Sequence, residues 1–164
     1  MVYDFTNSEN IYFDFWLKSE YFLNPPFMKL MIDDDVYFED HVKKDTHLRF
    51  QKKCSFDDIH KIKILRSGKT NKDTKFLPDG SFESQMLTME RIKIDNIDLK
   101  NLISHRCVYT PMYPEQWATE QRNQGIQLSD TLNGTTALGH NGQWEFDFRS
   151  PVYKFLIDWI QNRL

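Results

Sequence analysis

Ile11, Phe13, Phe15 and Leu17 alternate with Tyr12, Asp14, Trp16 and Lys18, and this period of two constrains the chain more than any other feature. Successive side chains of an extended strand point to opposite faces of a sheet, so the first set belongs in a core and the second on the other face. That second set contains two rings of its own, so its face is expected to be partly covered. FMKLMI (27–32) and VYFED (36–40) continue the strand signal on either side of Asp33, Asp34 and Asp35, which stand where a tight hairpin turn belongs. They lack the Asn-Gly or Asp-Gly pair that most favours such a turn.

HLRFQKKC (47–54) and HKIKILRSGK (60–69) supply two further strands, with Ile62 and Ile64 inward. Lys69 to Ser81 follows as a polar loop punctuated by Pro78 and Gly80. Beyond it the apolar parity changes, since Leu87 and Met89 are odd-numbered and Ile92 and Ile94 even-numbered; a β-bulge near Glu90 or Arg91 reconciles them. Asp95-Asn96 predicts a turn, and Asp98 a cap for a short helical turn holding Leu99, Leu102 and Ile103.

Residues 104–134 read as a long connection containing a short helix that starts at Pro114 and stops at Gly125. Asn141-Gly142, between 135–140 and 143–148, predicts a two-residue hairpin, with Trp144, Phe146 and Phe148 on one face. Ser150 as N-cap and Pro151 as first residue then predict a helix over 151–162, with Val152, Phe155, Leu156, Trp159 and Ile160 forming one stripe. Eight or nine short strands and one clear helix predict a single all-β domain over 1–164, an antiparallel β-sandwich of jelly-roll type closed by a C-terminal α-helix.

Composition narrows the function classes. The net charge of −3 hides an uneven distribution: residues 1–38 sum to −5, residues 39–75 to +5 and residues 76–164 to −3. In the basic segment the lysines alternate with Asp and Glu, and no helix-turn-helix, RNP-like or zinc-finger pattern accompanies them, so no nucleic-acid partner is expected. No apolar run reaches the ~18 residues of a membrane span, and Met1 to Asp4 has no signal-peptide character, so neither membrane insertion nor secretion is expected. Cys54 and Cys107 form no CxxC and have no histidine at metal spacing, and read as reduced, ordinary residues.

No nucleophile, base or metal motif stands in a recognisable context, so a binding protein is expected rather than an enzyme. Arg66–Thr70 (RSGKT) lacks the earlier glycine of a phosphate-binding loop, for position 63 is Lys63. No cofactor is expected except calcium, for which Asp33, Asp34 and Asp35 are the candidate ligands, although their spacing is not that of an EF-hand. Aromatic residues in the long connection offer a glycan platform: Tyr109, Tyr113 and Trp117 to stack on sugar faces and Gln121 to bond hydroxyls. The competing use of the same rings is to fix the connection to the core.

Two stretches carry a resemblance. HKIKILRSGKT, Asp79-Gly80 and MLTMERIKIDNIDLKNLI together resemble the strand-turn-strand arrangement of β-sandwich carbohydrate-binding modules, though no loop here matches the calcium-ligating loop those modules often keep. The set Tyr113-Pro114-Glu115, Trp117, Gln121, Leu138 to Gly142, Trp144, Phe146, Phe148, Ser150-Pro151 and Tyr153 is similar to a group of proteins from tailed bacteriophages of marine cyanobacteria. The resemblance implies a virion component, made in the host cytoplasm, that assembles with copies of itself or other virion proteins and recognises host-surface polysaccharide. Two alternatives remain open: a carbohydrate-binding module of a glycan-processing system, and a glycan-processing enzyme with a carboxylate pair such as Asp73 and Glu83.

Overall fold

The computed structural model describes residues 7–162. In chain order the strands begin with β1 (Ser8–Glu20), β2 (Phe27–Ile32), β3 (Asp35–His41), β4 (Thr46–Ser55) and β5 (Ile59–Ser67). A short arm follows, β6 (Thr74–Phe76) and β7 (Phe82–Ser84), and then β8 (Met86–Ile94) and β9 (Ile97–Asp98). Helix α1 (Lys100–Arg106), strand β10 (Val108–Pro111) and helix α2 (Glu115–Asn123) lead to β11 (Leu132–Asn133), β12 (Ala137–Leu138), β13 (Gly142–Arg149) and helix α3 (Val152–Asn162).

These strands form two large antiparallel sheets. The first runs β12-β8-β1-β4 with β9 added on β8; the second runs β11-β10-β13-β5-β2-β3. Alternation explains both inner faces: Ile11, Phe13, Phe15 and Leu17 of β1 and Trp144, Phe146 and Phe148 of β13 are all buried in one hydrophobic cluster. Phe13 of the first sheet meets Phe148 of the second with ring centroids 5.6 Å apart. Cys54 and Cys107 are buried, unpaired thiols, and burial pushes Cys54 up to about 12, so neither offers a thiolate.

Several local expectations hold for the reasons given. Ile32 pairs with Asp35, leaving Asp33 and Asp34 at φ 50° and 70°, the two left-handed positions of a two-residue hairpin turn. Asp tolerates that conformation better than most non-glycine residues. Asp95 and Asn96 repeat the device; Asp98 Oδ1 does accept from Lys100 N at 2.9 Å, but the N-cap of α1 is Leu99, one residue later than expected, so Leu99 precedes the helix instead of lying within it. Trp16 pairs with Arg91 and Leu17 with Met89, so Glu90 is the extra residue of a bulge that restores the inward parity of β8.

Three expectations fail, each because a distant residue claims the group. Asn141-Gly142 is not a hairpin turn, since β12 pairs with β8 and Gly142 already belongs to β13. The Asn141 amide is held instead by Lys69, whose N donates to Oδ1 at 3.0 Å and whose carbonyl accepts from Nδ2 at 3.0 Å. Gly142 serves close approach: a Cβ there would collide with Thr110 O and lie 2.9 Å from Pro111 Cα on β10.

Ser150 does not cap α3 either. Glu9 of β1 does so, accepting from Val152 N and from Ser150 Oγ at 2.7 Å each, and the helix begins at Val152 rather than at 151. Of the expected stripe, Val152 and Phe155 are buried and Leu156 and Trp159 partly so, whereas Ile160 faces solvent. Residues 104–134, finally, are no bare connection: β10 and β11 lie within them and extend the second sheet beside β13.

Candidate functional site

Of the four residues of the expected glycan platform, the structure buries Tyr109 and leaves Tyr113, Trp117 and Gln121 on or beside α2. Tyr109 takes no part in an exposed face, because it lies on β10 with its ring only 1% exposed and its hydroxyl donating to the His140 carbonyl. Burial pushes its phenol up to about 12. Tyr113 and Trp117 come together, with centroids 5.7 Å apart, and both lean on His140 at 5.1 Å and 5.0 Å. Gln121 stands half-buried one turn beyond Trp117 on α2. Tyr113 also ties its hydroxyl to Ser129 O at 2.9 Å. These rings fasten α2 and its neighbouring loop to the turn at His140, Tyr113 meeting the His140 ring edge-on at 80° and Trp117 tilted at 48°.

Behind them lies a buried polar hub. Arg66 is 1% exposed and donates to Leu138 O, Asn141 Oδ1 and Gln85 O at 3.2, 2.9 and 3.0 Å, while Lys69 Nζ donates to Gly139 O at 2.7 Å. Burial lowers the Arg66 guanidinium to about 10, still charged near neutrality. His140 is held below the ordinary histidine value by burial first and by Lys69 and Arg66 second. The fold therefore favours the neutral ring: this stability is fully present above the unfolded histidine pKa and is lost as pH falls through the lower folded one. Urea unfolding from about pH 7.5 down to about pH 5 is expected to show that loss, and His140→Gln to flatten it.

The carboxylate candidates are engaged elsewhere. Asp33 accepts from Lys61 N at 2.9 Å and pairs with His60, and Asp35 pairs with Lys52 Nζ at 2.7 Å. Among the described residues no three His, Cys, Asp or Glu side chains gather in a metal-holding group. Asp73 is buried and accepts from Thr70 N, Thr70 Oγ1 and Asn24 Nδ2, whereas Glu83 stands exposed on β7.

A different surface combines rings with cationic side chains. β1 is central in the first sheet, and register places Gln51, Arg49 and His47 of β4 on one side of Tyr12, Asp14 and Trp16, with Lys93 and Arg91 of β8 on the other. Trp16 stacks on His47 at 4.2 Å and 7°, with the Arg91 and Lys93 head groups each 5.6 Å from its ring. Arg49 covers Tyr12 at 5.1 Å, leaving that ring 43% exposed. Asp14, 2% exposed, anchors the row from below, bonding His47 Nε2 at 2.7 Å with Arg49 Nε 3.9 Å away. The second face of β1 is thus partly covered, as its rings implied, and among the described residues the cover comes from neighbouring side chains of β4 and β8.

Compared with protein-family models, curated proteins and solved structures, the chain matches none of them. The sequence does not announce this platform, because its cations lie on β4 and β8 and not on β1 itself. Only the register of β4 and β8 against β1 assembles it.

Proposed function

We propose that the chain is a non-catalytic binding module whose two sheets form the layers of a β-sandwich and whose ligand is an acidic polysaccharide lying across the outer face of the first sheet. The observation that carries this reading is the row Tyr12 and Trp16, flanked by Arg49, Arg91 and Lys93, on the rigid central strand of a sheet. Four residues of extended chain set the two rings about 13 Å apart. Their faces suit the apolar faces of sugar rings. Arg and Lys cover those faces with flexible stems, and the same head groups can turn to pair with carboxylates on a bound glycan, uncovering the rings.

Charge density selects the ligand class. Arg91 is paired with Asp98 at 3.3 Å and Lys18 with Glu20 at 3.3 Å, and the chain as a whole carries −3. A single-stranded nucleic acid, with one charge per ~3.4 Å of strand, meets repulsion from those carboxylates. A polyuronate carries its charges more sparsely and offers hydroxyls that the carboxylates accept from. Within this reading the protein works in many copies as part of a bacteriophage particle, where it contacts the glycan surface of the host; a virion role also suits the sequence resemblance. Mass spectrometry of purified particles tests that placement.

Titration of the full chain with a polyuronate, its neutral counterpart and a single-stranded oligonucleotide tests the ligand. The polyuronate is expected to bind best, and Trp16→Ala to weaken it at least ~10-fold, the effect of losing about 1.4 kcal/mol. Tighter binding of the oligonucleotide, or equal binding by Trp16→Ala, overturns the proposal.

A further inference from the structure

Trp16 stands between two different walls. Its ring lies 7° from parallel to His47 with centroids 4.2 Å apart, so His47 fills one face of the indole. Arg91 and Lys93, each with its head group 5.6 Å from the ring, therefore lie over the other face. His47 is held in place by Asp14, whose carboxylate meets Nε2 at 2.7 Å and is itself 2% exposed. The β4 side of Trp16 is thus closed by a fixed ring, and the β8 side by flexible chains that can swing away. Over Tyr12 lies the Arg49 head group, a flexible cover of the same kind, and the ring stays 43% exposed.

The four residues of strand from Tyr12 to Trp16 put about 13 Å between the rings. Asp14, between them on the same face, is buried, so no side chain of β1 rises into the gap. Its register partners are Arg49 on β4 and Lys93 on β8, which set one cation on each side of the gap. Beyond the rings this face of β1 carries Ser8 and Asn10 at one end and Lys18 and Glu20 at the other. These are small or flexible polar side chains that wall off neither end.

We infer that the platform reads an internal run of an acidic polysaccharide laid along β1, with Tyr12 and Trp16 stacked on two separate sugar units and Tyr12 setting the shortest chain that binds well. The carboxylates of the units between the rings meet Arg49 and Lys93. Neighbouring sugars of a polymer are bonded directly to each other, so a disaccharide cannot reach both rings across ~13 Å. A longer run engages both, and its second contact forms at high effective concentration. Because the track is open at each end, it needs no chain terminus. This length requirement rests on the reading of the ligand as a polyuronate.

Calorimetric titration of the full chain with size-fractionated oligouronates, from the disaccharide upward, tests it. Wild type is expected to gain at least ~10-fold in affinity in one step, once the oligomer spans both rings. A polyuronate capped chemically at both ends is expected to bind as tightly as the uncapped one. Tyr12→Ala is expected to remove the step and leave only the gradual rise that extra binding registers give. Tyr12→Phe keeps the ring and is expected to keep the step. Tyr12 lies outside the sheet core, so both variants should retain the circular dichroism of the parent. A wild-type series without a step, a step that survives Tyr12→Ala, or binding lost on capping overturns the two-ring track while polyuronate binding stands. Failure of every oligomer and of the polymer to bind overturns the ligand reading, and the track with it.

Discussion

Trp144→Ala is expected to lower the free energy of unfolding by about 3–5 kcal/mol. Trp144 is fully buried on β13, the strand at the middle of the second sheet, with Tyr109 of β10 across from it on one side and Ile64 of β5 on the other. Its indole N–H donates to Thr135 O at 3.0 Å, and its ring lies 6.4 Å from that of Phe146. Truncation removes the largest buried side chain, leaves a cavity that paired strands on both sides resist closing, and takes a donor from the part-buried Thr135 carbonyl. Single domains are stable by only ~5–15 kcal/mol, so the loss is a large fraction of the total. Urea denaturation is expected to show a lowered midpoint with the same slope. A change below about 1 kcal/mol would mean that the site collapses without cost, against a close-packed core.

Arg66→Met is expected to cost about 2–4 kcal/mol, although methionine keeps the apolar stem. The guanidinium joins β5 of the second sheet to Leu138 and Gln85 beside β8 of the first sheet, and to Asn141 just before β13. Removing it leaves the Leu138 and Gln85 carbonyls facing apolar surroundings. Relief of the desolvation that lowers the guanidinium to about 10 offsets part of this loss, which keeps the figure below the sum of the separate bonds. Arg66→Lys retains the charge but not the planar fork, and is expected to recover less than half of the difference. Equal stability of the methionine and wild-type proteins would show that the hub contributes nothing net.

What the sequence revealed of the fold was local. The alternation in β1, β5 and β13, the parity change resolved at Glu90, and the aspartate turns at Asp33-Asp34 and Asp95-Asn96 all depend on neighbours within a few residues. The failures depend on partners far away in sequence. Asn141 lies 72 positions from Lys69, and Val152 lies 143 positions from Glu9, and in both places a long-range bond displaced the expected local one. Tyr109 looked like a loop ring because β10 is only four residues long: Val108, Tyr109 and Thr110 favour a strand, but the run is too short to stand out within the long connection. The proposed platform was half legible: Tyr12 and Trp16 were visible as a second face, but their cations come from β4 and β8, and no residue pattern announces which strands flank β1.

The four tryptophans, at positions 16, 117, 144 and 159, each place one indole N–H in a different environment, and this makes the ligand's location directly measurable. In a proton–nitrogen spectrum of the full chain titrated with a polyuronate, the Trp16 indole and the side-chain N–H groups of Arg49 and Arg91 are expected to shift together, with the Trp117, Trp144 and Trp159 signals unmoved. Shifts centred on Trp117, or saturation of binding with Trp16 unchanged, would contradict a ligand face on the first sheet.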